Sequence, residues 1–202
     1  MEKTRALRVP AVQSESGMSL IEVVIAVSLL AILVTASLGV YLSSANASAT
    51  LQRREAAVTI ASQTLETVSV VTPTDLYIGR TAAAVESLRA ANVGIPGVDQ
   101  TYKMSGAAGA VTVPLISEQT FSGTKYTVNT IIGTCFQDKK GGTCTGAANS
   151  NQPATVPAGK TVLSRVIVVV RWDAGASCKP VACSYHSTTL IDAHSEIEWR
   201  TT

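Results

Sequence analysis

The stretch SESGMSLIEVVIAVSLLAILVTASLGVYL, residues 14–42, decides the fold, because nothing after its first turn breaks an apolar run. From Met18 to Leu42 the only charged side chain is Glu22. The run is as long as the roughly 20 apolar residues a helix needs to cross a bilayer. A carboxylate in such a run costs free energy, about 2.5–3.5 kcal/mol for a charge at the centre and less one turn from the end, so Glu22 requires a reason.

Upstream lie Lys3, Arg5 and Arg8, which by their charge stay cytoplasmic and send the remainder across the membrane. Downstream the helical pattern continues, since no proline occurs between Pro10 and Pro73. Leu51, Val58, Ala61, Leu65 and Val68 recur at helical spacing, with Gln52, Arg53, Gln63 and Glu66 marking a polar side. Arg54 and Glu55 sit close to that apolar stripe and weaken it. The spacing predicts one continuous helix over residues 18–71, stopped at Thr72-Pro73.

Thr81 is placed to cap a short helix over residues 82–92 that stops at Gly94, and small residues then dominate to Pro114. Three strands are predicted beyond. In residues 125–132, Tyr126, Val128, Thr130 and Ile132 share a face. In residues 161–172, Val166, Val168, Val170 and Trp172 share a face, with Arg165, Ile167, Val169 and Arg171 opposite. In residues 187–199, Ile191, Ala193, Ile197 and Trp199 group together, opposite Glu196 and Glu198. Turn-rich connections imply an antiparallel meander whose apolar face is covered by the amphipathic half of the long helix. The fold class is therefore α+β.

The 202 residues allow one membrane segment and one domain. A net charge of +2 with scattered Lys and Arg, and only 4% aromatic residues, gives neither the electrostatic footprint nor the stacking platform of a nucleic-acid binder. All four cysteines, Cys135, Cys144, Cys178 and Cys183, follow the apolar run, which favours two disulfides in an oxidising compartment. Their C-x8-C and C-x4-C spacings lack the paired knuckles of a structural zinc site, and the histidines are only His186 and His194. Pairing 135 with 144 and 178 with 183 would staple each inter-strand loop, but three connectivities are open to four cysteines.

Three readings compete for the N-terminal segment. A plain anchor accounts for length and charge asymmetry but gives Glu22 no purpose. A removable secretory signal gains support from SANASA, residues 44–49, with cleavage after Ala47 or Ala49, yet the apolar run is longer than the usual 7–15 residues. The third reading starts from the basic leader, Gly17, Met18-Ser19-Leu20-Ile21-Glu22 and the unbroken apolar stretch. Together these resemble the class III signal of type IV prepilins and type II secretion pseudopilins.

That resemblance implies cleavage by a prepilin peptidase between Gly17 and Met18, on the cytoplasmic side, and N-methylation of Met18. The usual first residue of the mature family is phenylalanine, and Met18 departs from it. The apolar run then serves as both membrane anchor and filament core, and Glu22 is the family's assembly glutamate, pairing with the new amine of a neighbouring subunit. Leu20, Ile21, Val23, Val24, Ile25, Leu29, Leu30 and Leu33 would supply the packing. Gly39 would allow either local bending or close helix contact. The implied organisation is a leader at residues 1–17, an N-terminal helix at 18–71 with its transmembrane part at 18–42, and an extracytoplasmic head at 72–202.

Within the family the strand ending in Trp172, the Cys-containing turn and STTLI at residues 187–191 are most similar to a minor pilin. The implied partners are the prepilin peptidase, other pilin subunits, the inner-membrane assembly platform and membrane lipid, with no cofactor and no direct nucleic-acid contact. The implied location is a single-pass inner-membrane protein that enters a surface or periplasmic filament. A pseudopilin of a type II secretion or DNA-uptake machine shares the same signal. An anchored extracytoplasmic enzyme would have to use Ser184, His186, Asp192 and His194, with no nucleophile elbow, H-E-x-x-H or P-loop to support it.

Overall fold

The computed structural model describes residues 17–147, 150–178 and 182–192. It divides into two compact units, residues 1–48 and 49–202, each described by itself. Helix α1, Leu20–Ser69, contributes its N-terminal part to the first unit and its C-terminal part to the second.

In the second unit, α1 packs on an antiparallel sheet through one clean face. Ala56, Ala57, Ile60, Ala61 and Val68 are buried there, with Leu65 packed beside them. The expected stripe is correct at Ala61, Leu65 and Val68 and wrong at Leu51 and Val58, which are exposed, Leu51 to 59%. The physical reason is the alanine pair Ala56-Ala57: small residues let the helix approach the sheet closely, so the packing face rotates onto them. Past Ser69 the chain makes a short 3-10 turn, Asp75–Tyr77, whose Leu76 is fully buried.

Helix α2, Ala82–Ala90, is capped by Thr81, whose Oγ1 accepts a bond from the Ala84 N–H at 3.3 Å. It ends two residues earlier than expected. The strands are β1 (Tyr102–Lys103), β2 (Ile116–Phe121), β3 (Thr124–Asp138), β4 (Lys160–Trp172) and β5 (Cys183–Asp192). β3 pairs along the full length of β4, from Tyr126↔Trp172 to Asp138↔Lys160, and β5 pairs with β4 from Trp172↔Cys183 to Leu163↔Asp192. The other edge of β3 is shared by β2, from Ile116↔Asn129 to Phe121↔Thr124, and β1, at Tyr102↔Thr134 and Lys103↔Gly133.

The meander is as expected, but β1 and β2 were not foreseen, and β3 starts and ends beyond its predicted limits. Its extension to Asp138 places Cys135 inside the strand rather than in the loop after it. β5 begins at Cys183, ahead of the predicted start at Ser187. Of its predicted face, Ile191 packs toward the core beneath α1, while Ala193, Ile197 and Trp199 lie outside the described residues.

Alternation divides the sheet into two buried faces. Tyr126, Val128, Ile132, Val166, Val168, Val170 and Trp172 meet α1, with the Tyr126 and Trp172 rings 5.9 Å apart. On the reverse face Ile131, Ile167 and Val169 pack against Leu88 of α2 and Val98. This second cover corrects the one-sided reading, and it is why Arg165 on that face is buried. Arg165 is 5% exposed, and its Nη1 donates to Gly97 O (3.1 Å), Gln100 O (3.0 Å) and Thr101 Oγ1 (3.3 Å), its Nη2 to Cys144 O. Arg89 donates to Val98 O and Thr101 O, both at 2.8 Å. Arg80 reaches Val113 O at 2.9 Å and Thr130 O, and burial lowers its pKa to about 10. Main-chain carbonyls give these guanidiniums charge-assisted hydrogen bonds without a second ion, while Arg80 Nε and Arg89 Nε and Nη1 are buried with no hydrogen-bond partner among the described residues.

A different constraint sits where the chain crosses itself. The Gly106 N–H donates to Arg80 O at 3.0 Å, and a Cβ added at Gly106 would lie 1.8 Å from Tyr77 O.

Cys135 is bonded to Cys144 and Cys178 to Cys183, with Cα separations of 5.4 and 5.1 Å. Cys135 and Cys144 are buried with Leu163, and Cys183 lies in the core beneath α1. Non-reducing peptide mapping of protein exported by its host should return these two local links. Removing the first pair by Cys135→Ser with Cys144→Ser should cost about 2–3 kcal/mol in chemical denaturation, and wild-type stability in the double variant would dismiss the staple as a stabiliser.

Candidate functional site

The N-terminal unit contains the residues singled out for processing and assembly. Gly17, Met18 and Ser19 precede the helix, which starts at Leu20. Ser19 O accepts the Glu22 N–H at 3.0 Å and the Val23 N–H at 3.3 Å, so Ser19 occupies the position just ahead of the first helical turn. Met18 therefore stands outside the helix, which begins two residues later than the expected start at residue 18. Ser19-Leu20-Ile21-Glu22 has the spacing of a capping box. Glu22 lies in the first turn, where the helix dipole favours an anionic side chain.

Gly17 sits in open space: a Cβ there would have no neighbour within 4 Å. Folding of this chain therefore gives no steric reason for glycine at that position. The same holds at Gly39, where α1 continues unbroken and an added Cβ meets nothing.

From Leu20 to Leu42 the helix is apolar on every side apart from Glu22, and exposed on every side. Leu20, Ile21, Val23, Val24, Ile25, Leu29, Leu30 and Leu33 are each more than two-fifths accessible. Its length and composition suffice to cross a membrane, and its most apolar window is not buried within the chain. Three hydroxyls in this segment bond back to their own helix: Ser28 Oγ donates to Val24 O (2.8 Å), Thr35 Oγ1 to Ile32 O (2.9 Å) and Ser37 Oγ to Leu33 O (2.8 Å). Such back-bonding spares these three hydroxyls an unpaired donor in an apolar medium. Glu22 is then the one charged side chain in the span that its own helix does not neutralise by ion pairing among the described residues.

In the second unit, Ser184 and His186 lie on the exposed side of β5 and Asp192 ends that strand. His194 lies outside the described residues. Among the described residues, Ser184, His186 and Asp192 line neither of the two clefts of the second unit. The sizeable cleft, about 620 Å³, lies elsewhere, between α1 at Gln52, Arg53, Thr59, Ile60 and Gln63 and the β2–β3 hairpin at Gln119, Phe121 and Tyr126. Tyr126 Oη donates to Arg53 O at 3.2 Å across its floor. Sequence reading missed this cleft because it missed β2. The signal was Phe121-Ser122-Gly123-Thr124: Ser122 and Gly123 take φ of 47° and 74°, the two-residue hairpin turn that serine and glycine mark.

Residues 13–38 match the family model of the prokaryotic N-terminal methylation motif. Neither a curated protein nor a solved structure matches the chain. A signal of this class implies processing by a prepilin peptidase and assembly with other pilins, and with the apolar helix it fits a membrane-anchored pilin. The chain is thus prepilin-like, carrying the methylation motif of type IV pilin and pseudopilin precursors ahead of a long helix packed on an antiparallel sheet.

Proposed function

We propose that the chain is a structural subunit of a type IV pilus or related filament, of the minor-pilin kind, and that it acts without catalysis. The single observation that supports this most is the pairing of the methylation motif with a helix whose apolar N-terminal part is exposed and holds one carboxylate in its first turn. Cleavage after Gly17 frees an ammonium at Met18. In the filament, Glu22 of one subunit pairs with the Met18 amine of another, each charge offsetting the desolvation of the other, while the apolar side chains pack. The leader at residues 1–17 stays in the cytoplasm and the head from residue 72 lies across the inner membrane, where both disulfides form.

N-terminal mass spectrometry of the native protein tests the processing step. The mature chain is expected to begin at N-methylated Met18. A first residue of Ser48 or Thr50 would instead make this a secreted protein with a removed signal. Gly17→Leu should remain uncut although the position has room for the side chain, because the demand for glycine then belongs to the peptidase. A pseudopilin of a secretion or DNA-uptake machine shares the same helix and motif, and recovery of the chain in sheared surface fibres separates the two.

A further inference from the structure

We propose that the open edge of β2 docks an extended strand from a neighbouring, non-identical filament subunit. This rests on the filament-subunit reading and adds to it a contact in the head.

The register fixes which main-chain groups are available. Phe121 and Thr124 flank the two-residue turn, and the Thr130 N–H donates to Leu115 O at 2.8 Å. Hydrogen-bonded pairs therefore fall at Ser117, Gln119 and Phe121, whose main-chain groups face β3. Those of Ile116, Glu118 and Thr120 face away, and among the described residues no other strand pairs with β2. A row of outward N–H and C=O groups at strand spacing fits one kind of ligand, another extended polypeptide.

Edges of this kind are commonly protected by lysine, proline or a bulge. β2, Ile-Ser-Glu-Gln-Thr-Phe, has none of these, and its one charge, Glu118, is tied to Lys125 Nζ at 2.8 Å. Apolar side chains stand at both ends of the edge instead, Ile116 and Phe121 each 58% exposed. They lie on opposite faces, and each borders a hollow. On the α1 face is the cleft at Gln119 and Phe121, and on the reverse face a smaller one, about 440 Å³, at Ile116, Val111 and Leu88. A strand added about 4.8 Å from β2 sends alternate side chains to the two faces, so one occupant serves both hollows.

The partner differs from this chain for an electrostatic reason. Two β2 strands paired antiparallel through their outward groups, with Ile116 opposite Thr120 of the copy, place Glu118 opposite Glu118, and like charges directly opposite are destabilising.

Amide hydrogen exchange with residue-level fragmentation tests the contact, comparing full-length chain solubilised from the membrane with the chain in sheared fibres. In detergent, the Ser117, Gln119 and Phe121 amides should be protected and those of Glu118 and Thr120 should exchange freely. In fibres, Glu118 and Thr120 should slow by about tenfold or more. Thr120→Pro, which deletes only an outward N–H, should be folded and processed yet reduced in fibres, whereas Thr120→Ala should assemble as wild type. Free exchange at Glu118 and Thr120 in fibres overturns the docking site while leaving the filament reading intact. Protection that grows with concentration of the purified chain alone overturns the non-identical partner in favour of a second copy. Absence of the chain from fibres removes the filament reading and this contact together.

Discussion

A Glu22→Ala chain is expected to accumulate in the membrane, processed and methylated, and to be depleted from fibres by about a hundredfold or more. The depletion follows from the roughly 3–5 kcal/mol lost when one side of a buried ion pair is removed and the other charge stays buried. Anchoring should be unharmed, because the change removes a charge from an apolar run. Cleavage should survive because it occurs ahead of the helix. Glu22 also holds a first-turn position with capping-box spacing from Ser19, so helix capping is a rival account of why a carboxylate sits there. Glu22→Gln separates the two. Glutamine retains the capacity to cap the helix and loses the charge, so it should behave like alanine if ion pairing governs assembly. Glu22→Asp should be intermediate. Membrane extraction, fibre shearing and immunoblotting read all three variants, and wild-type incorporation of Glu22→Ala would sink the assembly role.

Gly106→Ala should destabilise the head by about 3 kcal/mol, at the upper end of what overpacking costs. The added methyl would sit 1.8 Å from Tyr77 O and 2.3 Å from Tyr77 C. Both are backbone atoms, so no rotamer change relieves the clash and the two segments must separate. Separation breaks the Gly106 N–H to Arg80 O bond and disturbs Arg80, whose guanidinium joins Val113 O to Thr130 O. It also disturbs the Tyr77 Oη–Ser164 Oγ bond of 2.8 Å. Thermal or urea denaturation of the full-length protein in detergent checks this. A loss below about 1 kcal/mol would mean that the crossing relaxes without cost.

The two predictions draw on parts of the chain that differ in how openly the sequence displays them. The long helix was legible because periodicity and the lack of proline act locally, and its limits fell within two residues of those expected. β3 and β4 were legible because β-branched residues alternate along them. The rotation of α1 onto Ala56 and Ala57 was not, since alanine reads as neutral in any hydrophobic pattern and only close approach to the sheet gives it meaning. β2 was hidden for a related reason. Its side chains are mostly exposed and mixed in character, so its existence rests on pairing with β3 and on the Ser122-Gly123 turn. Arg165 and Arg171 were read as facing away from the α1 side, which is correct. What lies on that side is a second layer drawn from α2 and the segment after it, assembled by long-range contacts that no local pattern encodes. At the N-terminus, the motif at Gly17 to Glu22 was visible in full because it is a linear signal that needs no fold to be recognised.

The three buried arginines leave the chain unusual freedom to vary at its surface. Arg80, Arg89 and Arg165 hold their neighbours mostly through carbonyl oxygens, at Val113, Thr130, Val98, Thr101, Gly97, Gln100 and Cys144. Every residue type presents that same atom. Exchange of the side chains at Asp99 or Gln100 leaves both ends of these bonds in place, so the outward identity of the loop is uncoupled from its shape. A frame secured in this way tolerates a changing exterior.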